Sequence, residues 1–348
     1  MISQKDLKKI LEFVEKAQNP LFFFDNDVDG LASFLLLRRF SGKGKGVAIK
    51  SFPELNVSYS RKINELNPDY VFVLDKPIVD KEFLDAALKL NVPVIWIDHH
   101  PVPEFSDYEN VHYFNPILSE KPSVEPTTYI CYEAVKNKED EWIAMLGCLS
   151  DWFVPYFAEE FAEKYGDLFT IYENTGKILY ETQIGKIIKI LNFALKNRTS
   201  EIVKMIKNLV SIKTPYELLE ENSKTILIYK RYRQINRKYE KILEKAKEIA
   251  KRQDKKLLFF QYGGELSLSS EISNELHYLF PEKIIVVAYV RDAKVNVSAR
   301  ANMNVREIIG KAMDNLEGNF GGHEYACGAK LNSDDLQTFR ENLAKLIN

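Results

Sequence analysis

Four short apolar runs in the first hundred residues constrain this chain most: LFFF (21–24), GVAIKSF (46–52), YVFVL (70–74) and VPVIWI (92–97). They are short, bounded and rich in Val, Ile and Phe, and they lack the alternation of a strand with one wetted face. Between them LASFLLLRRF (31–40), SRKINELN (60–67) and KEFLDAALKL (81–90) read as helices. Strands alternating with helices predict βαβ units, and strands apolar along their whole length predict a parallel sheet covered by helices on both faces. The expected class is therefore α/β.

Three of the runs end directly in an acidic residue: Asp25, Asp75 and Asp98. Sites in open α/β sheets lie in the crevice beyond the carboxyl ends of the strands, so these three ends are expected to converge. The first continues as Asp25-Asn26-Asp27-Val28-Asp29-Gly30, with carboxylates at every second position. Such a cluster is either a solvated turn or a cation site. Its place between a phenylalanine strand and an apolar helix weighs against free hydration, because burial and mutual repulsion penalise the charged forms. Asp98 is followed by His99 and His100, two of only five histidines, and Asp151 in LGCLSDWF adds another carboxylate. Oxygen donors with one or two imidazoles and no thiolate favour Mn²⁺ or Mg²⁺ over zinc. Five or more carboxylates exceed what one such ion takes, so two ions roughly 3.5–4 Å apart are expected.

A length of 348 residues exceeds one ordinary core and suits two domains. After residue 155 the pattern turns helical through IGKIIKILNFALKN (184–197) and TSEIVKMIKNLV (199–210). The segment from Pro215 to Arg252 has no internal Gly or Pro, which predicts one long helix. Its Ile228, Tyr232, Ile235, Tyr239, Ile242, Ala246 and Ile249 form a heptad seam. From Lys224 to Arg252 there are eleven Lys or Arg against three Glu, in a chain of net charge -2. That basic run is a solvated face, a bridge between domains, a groove wall for single-stranded nucleic acid, or a homo-oligomer contact through residues 226–250. Strand-like KLLFFQY, KIIVVAYV and AKVNVSA then return around the helical SEISNELHYLF, which predicts a smaller α/β domain ending in the glycine-dense EGNFGGHEYACGA (317–329). The expected division is 1–200, a helical connector 201–254, and 255–348.

Near-neutral charge excludes a globally basic nucleic-acid binder, though not a local patch. Cys131, Cys148 and Cys327 are odd in number and scattered, which points to buried thiols in a reducing compartment rather than to disulfides. MISQKDLKKILEFVEKA lacks the features of a signal peptide, and no stretch reaches 18 consecutive apolar residues, so the expected location is cytoplasmic, without a membrane span. Seven glutamines beside abundant Lys, Glu and Ile hint at a thermophile.

The ordered series Asp25-x-Asp27-x-Asp29-Gly30, Asp75, Asp98-His99-His100, Asp151 and a distal Gly321-Gly322-His323 resembles the DHH phosphoesterase superfamily, in particular the RecJ-like single-strand exonucleases. In length the chain is similar to the compact archaeal RecJ-like nucleases, one of which associates with a repair helicase. The resemblance implies that Asp25, Asp27, Asp29, Asp75, His99 and Asp151 surround two Mn²⁺ ions, with Mg²⁺ as the alternative and Asp75 bridging. It implies that Asp98 orients the histidines, that His100 contacts the scissile phosphate, and that Arg300, Gly321, Gly322 and His323 hold the nucleotide. The implied activity is Mn²⁺-dependent hydrolysis of single-stranded DNA, or RNA, to nucleoside monophosphates in repair or replication, with a helicase or replication protein as partner. A phosphodiesterase for short oligonucleotides, adenosine bisphosphate or cyclic dinucleotides would use the same centre, and relatives with decayed ligands act as scaffolds. The chain departs from the family pattern at Asp25, where many relatives place His, at Lys76-Pro77, where RecJ proteins usually have Asn-Gly, and at Phe320, where a third glycine is common. Its length is shorter than expected for a chain that also carries the extra oligonucleotide-binding domain of bacterial RecJ.

Overall fold

Each of the four apolar runs forms a strand in the computed structural model, which describes residues 2–51, 53–102, 108–252 and 256–347. Phe52 of the second run and the expected boundary at 254/255 lie outside the described residues. The chain passes through α1 (Gln4–Lys16), β1 (Leu21–Asp25), α2 (Val28–Ser41), β2 (Lys45–Ile49), β3 (Glu54–Leu55) and α3 (Arg61–Leu66). It continues through β4 (Val71–Leu74), β5 (Ile78–Val79), α4 (Lys81–Lys89), β6 (Val94–Ile97) and β7 (Val111–Phe114). Five strands form one sheet in the order β2-β1-β4-β6-β7 with every pairing parallel, and β3 pairs separately with β5. Helices α5 (Thr127–Val135), α6 (Glu141–Ser150), α7 (Ala158–Lys164), α8 (Thr175–Glu181), α9 (Gln183–Leu195) and α10 (Thr199–Leu209) follow.

Alternate side chains of the strands enter different cores, which is why the runs are apolar throughout. Phe22, Phe24, Phe72, Leu74, Ile95 and Ile97 pack with residues of α1, α2, α5, α6 and α9 on one face. Leu21, Phe23, Val71, Val73, Val94 and Trp96 pack with Ile63 of α3 and Phe83 of α4 on the other. Each fully buried phenylalanine contributes about 1.5–3 kcal/mol, so β1 is clamped from both sides. The chain leaves β1 toward β2 and returns on the opposite side at β4, so the crevice beyond these two strands is the topological switch point. Strand β7 was not expected: it lies at the sheet edge, and Val111, His112 and Tyr113 are only partly covered, so it carries no apolar run.

By its internal contacts the chain divides into two compact units, Met1–Arg233 and Gln234–Asn348, and the division falls within α11 (Ile226–Arg252). This helix starts later than expected. Pro215–Leu218 form a separate 3₁₀ turn, and Asn222 and Thr225 then close a reciprocal cap: Asn222 N donates to Thr225 Oγ1 at 2.9 Å, and Thr225 N to Asn222 Oδ1 at 3.2 Å. The seam is also shifted: Ile228, Ile235, Tyr239, Leu243, Ala246 and Ala250 are buried, whereas the expected Ile242 and Ile249 are half-buried. A straight helix of 3.6 residues per turn drifts away from a strict heptad. The seam is covered within the single chain, which leaves the basic face at the surface.

The second unit contains β8 (Leu257–Gly263), α12 (Ser269–Leu279), β9 (Ile284–Arg291), β10 (Lys294–Arg300), α13 (Val305–Ala312), β11 (Gly318–Gly322), β12 (Ala326–Asn332) and α14 (Leu336–Ile347). Its sheet runs β11-β12-β10-β9-β8, parallel between β8 and β9 and antiparallel elsewhere. The architecture is thus the expected one: a parallel α/β domain, a long helix and a smaller α/β domain. No described helix is long and apolar enough to cross a membrane.

Candidate metal centre

The turn from β1 into α2 places three carboxylates within five residues. Asp25 ends β1, and Asp27 is the N-cap of α2, its Oδ1 accepting from Gly30 N at 2.9 Å. Gly30 is required sterically, since a Cβ there would lie 2.6 Å from Asp25 O and 2.7 Å from Asp25 N. Asp29 is fully buried in the first turn of α2. Its Oδ2 accepts from Thr127 N at 3.0 Å and its Oδ1 from Thr128 N at 2.8 Å, so one carboxylate satisfies the first free N–H groups of α5.

The other strand ends bring their residues to the same place. Asp75 follows β4 at φ +60°, a strained left-handed conformation for a non-glycine residue, and Thr127 Oγ1 lies 3.4 Å from its Oδ1. His99 Nε2 lies 3.2 Å from Asp151 Oδ2, 3.5 Å from Asp75 Oδ1 and 3.9 Å from Asp29 Oδ2. Asp151 caps the C-terminus of α6. Asp98 is fully buried; its Oδ1 lies 2.8 Å from His100 Nδ1, and its Oδ2 accepts from His100 N at 3.1 Å. Tyr113 OH of β7 reaches the same Oδ2 at 3.4 Å.

Among the described residues, three groups place potential ligand atoms within 4.8 Å of one another: Asp25, Asp27 and Asp75; Asp29, His99 and Asp151; and Asp75, His99 and His100. Asp75 and His99 each belong to two of them.

The electrostatics show what the cluster lacks. Burial pushes Asp27 and Asp29 well above the usual carboxylate range, and the neighbouring Asp75 and Asp151 add to this. Burial also raises Asp25, partly offset by the Lys76 ammonium. For Asp75, burial acts upward, but the hydrogen bond from His99 and the charges of His99 and His100 outweigh it and bring the carboxyl down to about 2. His99 mirrors this: burial acts downward, yet its bonds to Asp151 and Asp75 lift it to about 12. Burial raises Asp98 despite its bond to His100. Lys76 is fully buried, with Nζ 2.9 Å from Asp25 Oδ1 and 3.0 Å from Ser51 O. Lys76 and, when protonated, His99 are the positive groups set among these carboxylates. Hard oxygen donors, one imidazole at their centre and this demand for positive charge fit Mn²⁺ or Mg²⁺.

Three contributors escaped the sequence reading. Lys76 registered only as a departure from a motif, and no local pattern marks its pairing with Asp25, 51 residues away. Thr127 and Thr128 follow Pro126 at the start of α5, an ordinary helix N-terminus signature that gave no hint of Asp29.

The remaining expected site residues belong to the second unit and come together there. Arg300 ends β10 opposite Ala326 of β12, and its Nε donates to Asn274 Oδ1 at 2.6 Å. Gly321 and Gly322 lie on the exposed edge strand β11, paired with Gly328 and Cys327. His323 forms the turn to β12, its N donating to Ala326 O at 2.8 Å, and its side chain is exposed. A Cβ at Gly321 would meet nothing within 4 Å, so the edge there is open. Phe320, in place of a third glycine, lays its ring against Gly310 of α13.

Comparisons with known proteins agree with this architecture. The DHH family N-terminal domain matches residues 21–149 and the DHHA1 domain residues 254–348. No curated protein matches the sequence. A structure of exonuclease RecJ bound to manganese is similar at TM-score 0.64 and 14% identity, over 100% of this chain and 95% of that one. RecJ from Thermus thermophilus in complex with Mn²⁺ gives 0.65 at 14% identity over 99% of this chain, which spans 54% of that protein. The DHH domain of a protein assigned to a family of ribosomal proteins gives 0.66 at 15% identity over 99% of this chain and 89% of that one. A DHH domain followed by a DHHA1 domain places this protein in the DHH superfamily, and along the whole chain its fold is similar to that of RecJ.

Proposed function

We propose that this chain is a divalent-cation-dependent phosphodiesterase that shortens single-stranded nucleic acid, DNA in preference to RNA, and releases nucleoside monophosphates in repair or replication. The observation that carries this reading is the convergence of Asp25, Asp27, Asp29, Asp75, His99 and Asp151 into overlapping donor groups at the switch point. The fold shared with a manganese-bound RecJ exonuclease supports it. Two Mn²⁺ or Mg²⁺ ions held by those six residues, with Asp75 shared, would supply Lewis-acid stabilisation of phosphoryl charge and acidify water.

The chain's own groups do the rest. Asp29 is fixed by two backbone N–H groups, so its oxygens cannot swing away. Asp98 holds the Nδ1 side of the His100 ring, which leaves Nε2 for a phosphate oxygen or the leaving group. Arg300 and the hairpin residues Gly321, Gly322 and His323 would grip the nucleotide through guanidinium and backbone N–H donors. In this scheme residues 1–200 carry the chemistry, 201–254 connect, and 255–348 hold the substrate.

The test uses strands labelled separately at each end and incubated with Mn²⁺. Mononucleotide release that begins at one end, and that vanishes with EDTA or in Asp27→Ala, is the expected result. Intact strands beside a folded protein would refute the proposal. Turnover of dinucleotides with longer strands spared would replace it with the short-substrate reading.

A further inference from the structure

Trp152 follows Asp151 directly and carries two anomalies at once. Its side chain is 42% exposed, although tryptophan is one of the more heavily buried residue types on average. Its backbone sits at φ +60°, a conformation that bulky residues rarely adopt. The segment is not loose: Trp152 N donates to Leu149 O at 3.0 Å and Phe153 N to Cys148 O at 2.9 Å. Among the described residues the indole has one ring neighbour, Tyr180, at 6.5 Å between centroids. Val154 and Tyr156 extend the exposed apolar surface, with Tyr156 tethered through its hydroxyl to Glu133 at 3.0 Å. The two backbone bonds from Trp152 N and Phe153 N close the C-terminus of α6, with Trp152 at the left-handed position that glycine usually takes, so the turn fixes the residue while its indole stays partly in water.

The position supplies the reason. Asp151 Oδ2 lies 3.2 Å from His99 Nε2, so Trp152 directly follows a residue that lines the acidic crevice. Proteins that bind single strands without sequence preference stack bases on exposed aromatic rings, because every base has a π face. We propose that Trp152 is the stacking platform for a nucleobase of the strand engaged at the crevice. This rests on the reading of the crevice as a phosphodiesterase centre and adds to it a site for the base rather than the phosphate.

The chain is suited to a direct test. Of its three tryptophans, Trp96 and Trp142 are buried, so Trp152 alone is open to a quencher. Intrinsic fluorescence is titrated with phosphorothioate oligothymidylate in Mg²⁺, and in parallel with an abasic strand of equal length. Oligothymidylate is expected to quench emission and the abasic strand to leave it unchanged. Trp152→Gly suits the left-handed backbone and so preserves folding. It should lose the quench and bind oligothymidylate about 5- to 150-fold more weakly, as expected for one stacked base. Trp152→Phe should retain most of the affinity. Wild-type affinity in Trp152→Gly, or strand binding without quenching of the native protein, overturns the stacking role alone. Absence of binding to any strand overturns the nucleic-acid reading with it. Equal quenching by both strands assigns the indole to the backbone path and also overturns the proposal.

Discussion

Alanine at Gly30 separates two opposed effects at the most constrained point of the site. In an exposed helix the substitution stabilises by about 1 kcal/mol. Here the added Cβ would sit 2.6 Å from Asp25 O and 2.7 Å from Asp25 N, and both are backbone atoms that no rotamer change can move. Overpacking of this kind costs about 1–3 kcal/mol, and the contact with backbone puts it toward the upper end. Gly30→Ala is therefore expected to destabilise the protein by about 2 kcal/mol net, measured as a shift in the urea midpoint with the slope unchanged. Relief requires the first turn of α2 to move away from β1, which carries Asp27 and Asp29 away from Asp25. Calorimetric titration should thus show Mn²⁺ affinity falling by about tenfold or more, since about 1.4 kcal/mol already accounts for one decade. A Gly30→Ala variant as stable as the native protein, with the same Mn²⁺ affinity, would refute the claim that this close approach shapes the centre.

Adding Mn²⁺ at about 100 times its dissociation constant should stabilise the native state by about 2.7 kcal/mol, or roughly 5–11 °C of melting temperature for a unit of this size. EDTA should reverse the shift, and an unchanged melting curve would contradict cation binding. Lys76→Met removes the buried ammonium beside Asp25, and breaking such a pair costs about 3 kcal/mol or more in the metal-free protein. Mn²⁺ should reduce that loss, because a cation balances the same carboxylate; an identical loss with and without Mn²⁺ in urea melts would show that the two do not share it.

The sheet was legible because its strands are buried on both faces, which writes unbroken apolar runs such as Phe22-Phe23-Phe24 into the chain. Strand β7 and the glycine-rich β11 were not legible, since an edge strand needs no apolar run and an exposed one needs no side chains at all. Most of the acidic cluster could be assembled from the strand ends and the turn after β1, because topology forces the ends of β1, β4 and β6 together, while Asp151 comes from the end of α6. What supports it could not: the hold of α5 on Asp29 spans about a hundred residues through backbone N–H groups, which no side-chain pattern records. The long helix was read too long because Asn222 and Thr225 build a cap where neither Gly nor Pro marks one.

The most direct test of the central claim is the number of Mn²⁺ ions bound per chain at equilibrium, in the native protein and in Asp75→Asn with its fold checked by circular dichroism. Asp75 belongs to two of the three donor groups, so its loss should be felt by both ions. The native chain is expected to bind about two ions, and Asp75→Asn fewer than half as many at the same free concentration. A native chain that binds none, or an Asp75→Asn variant that binds as many as the native one, would contradict the account of this crevice as a dinuclear centre.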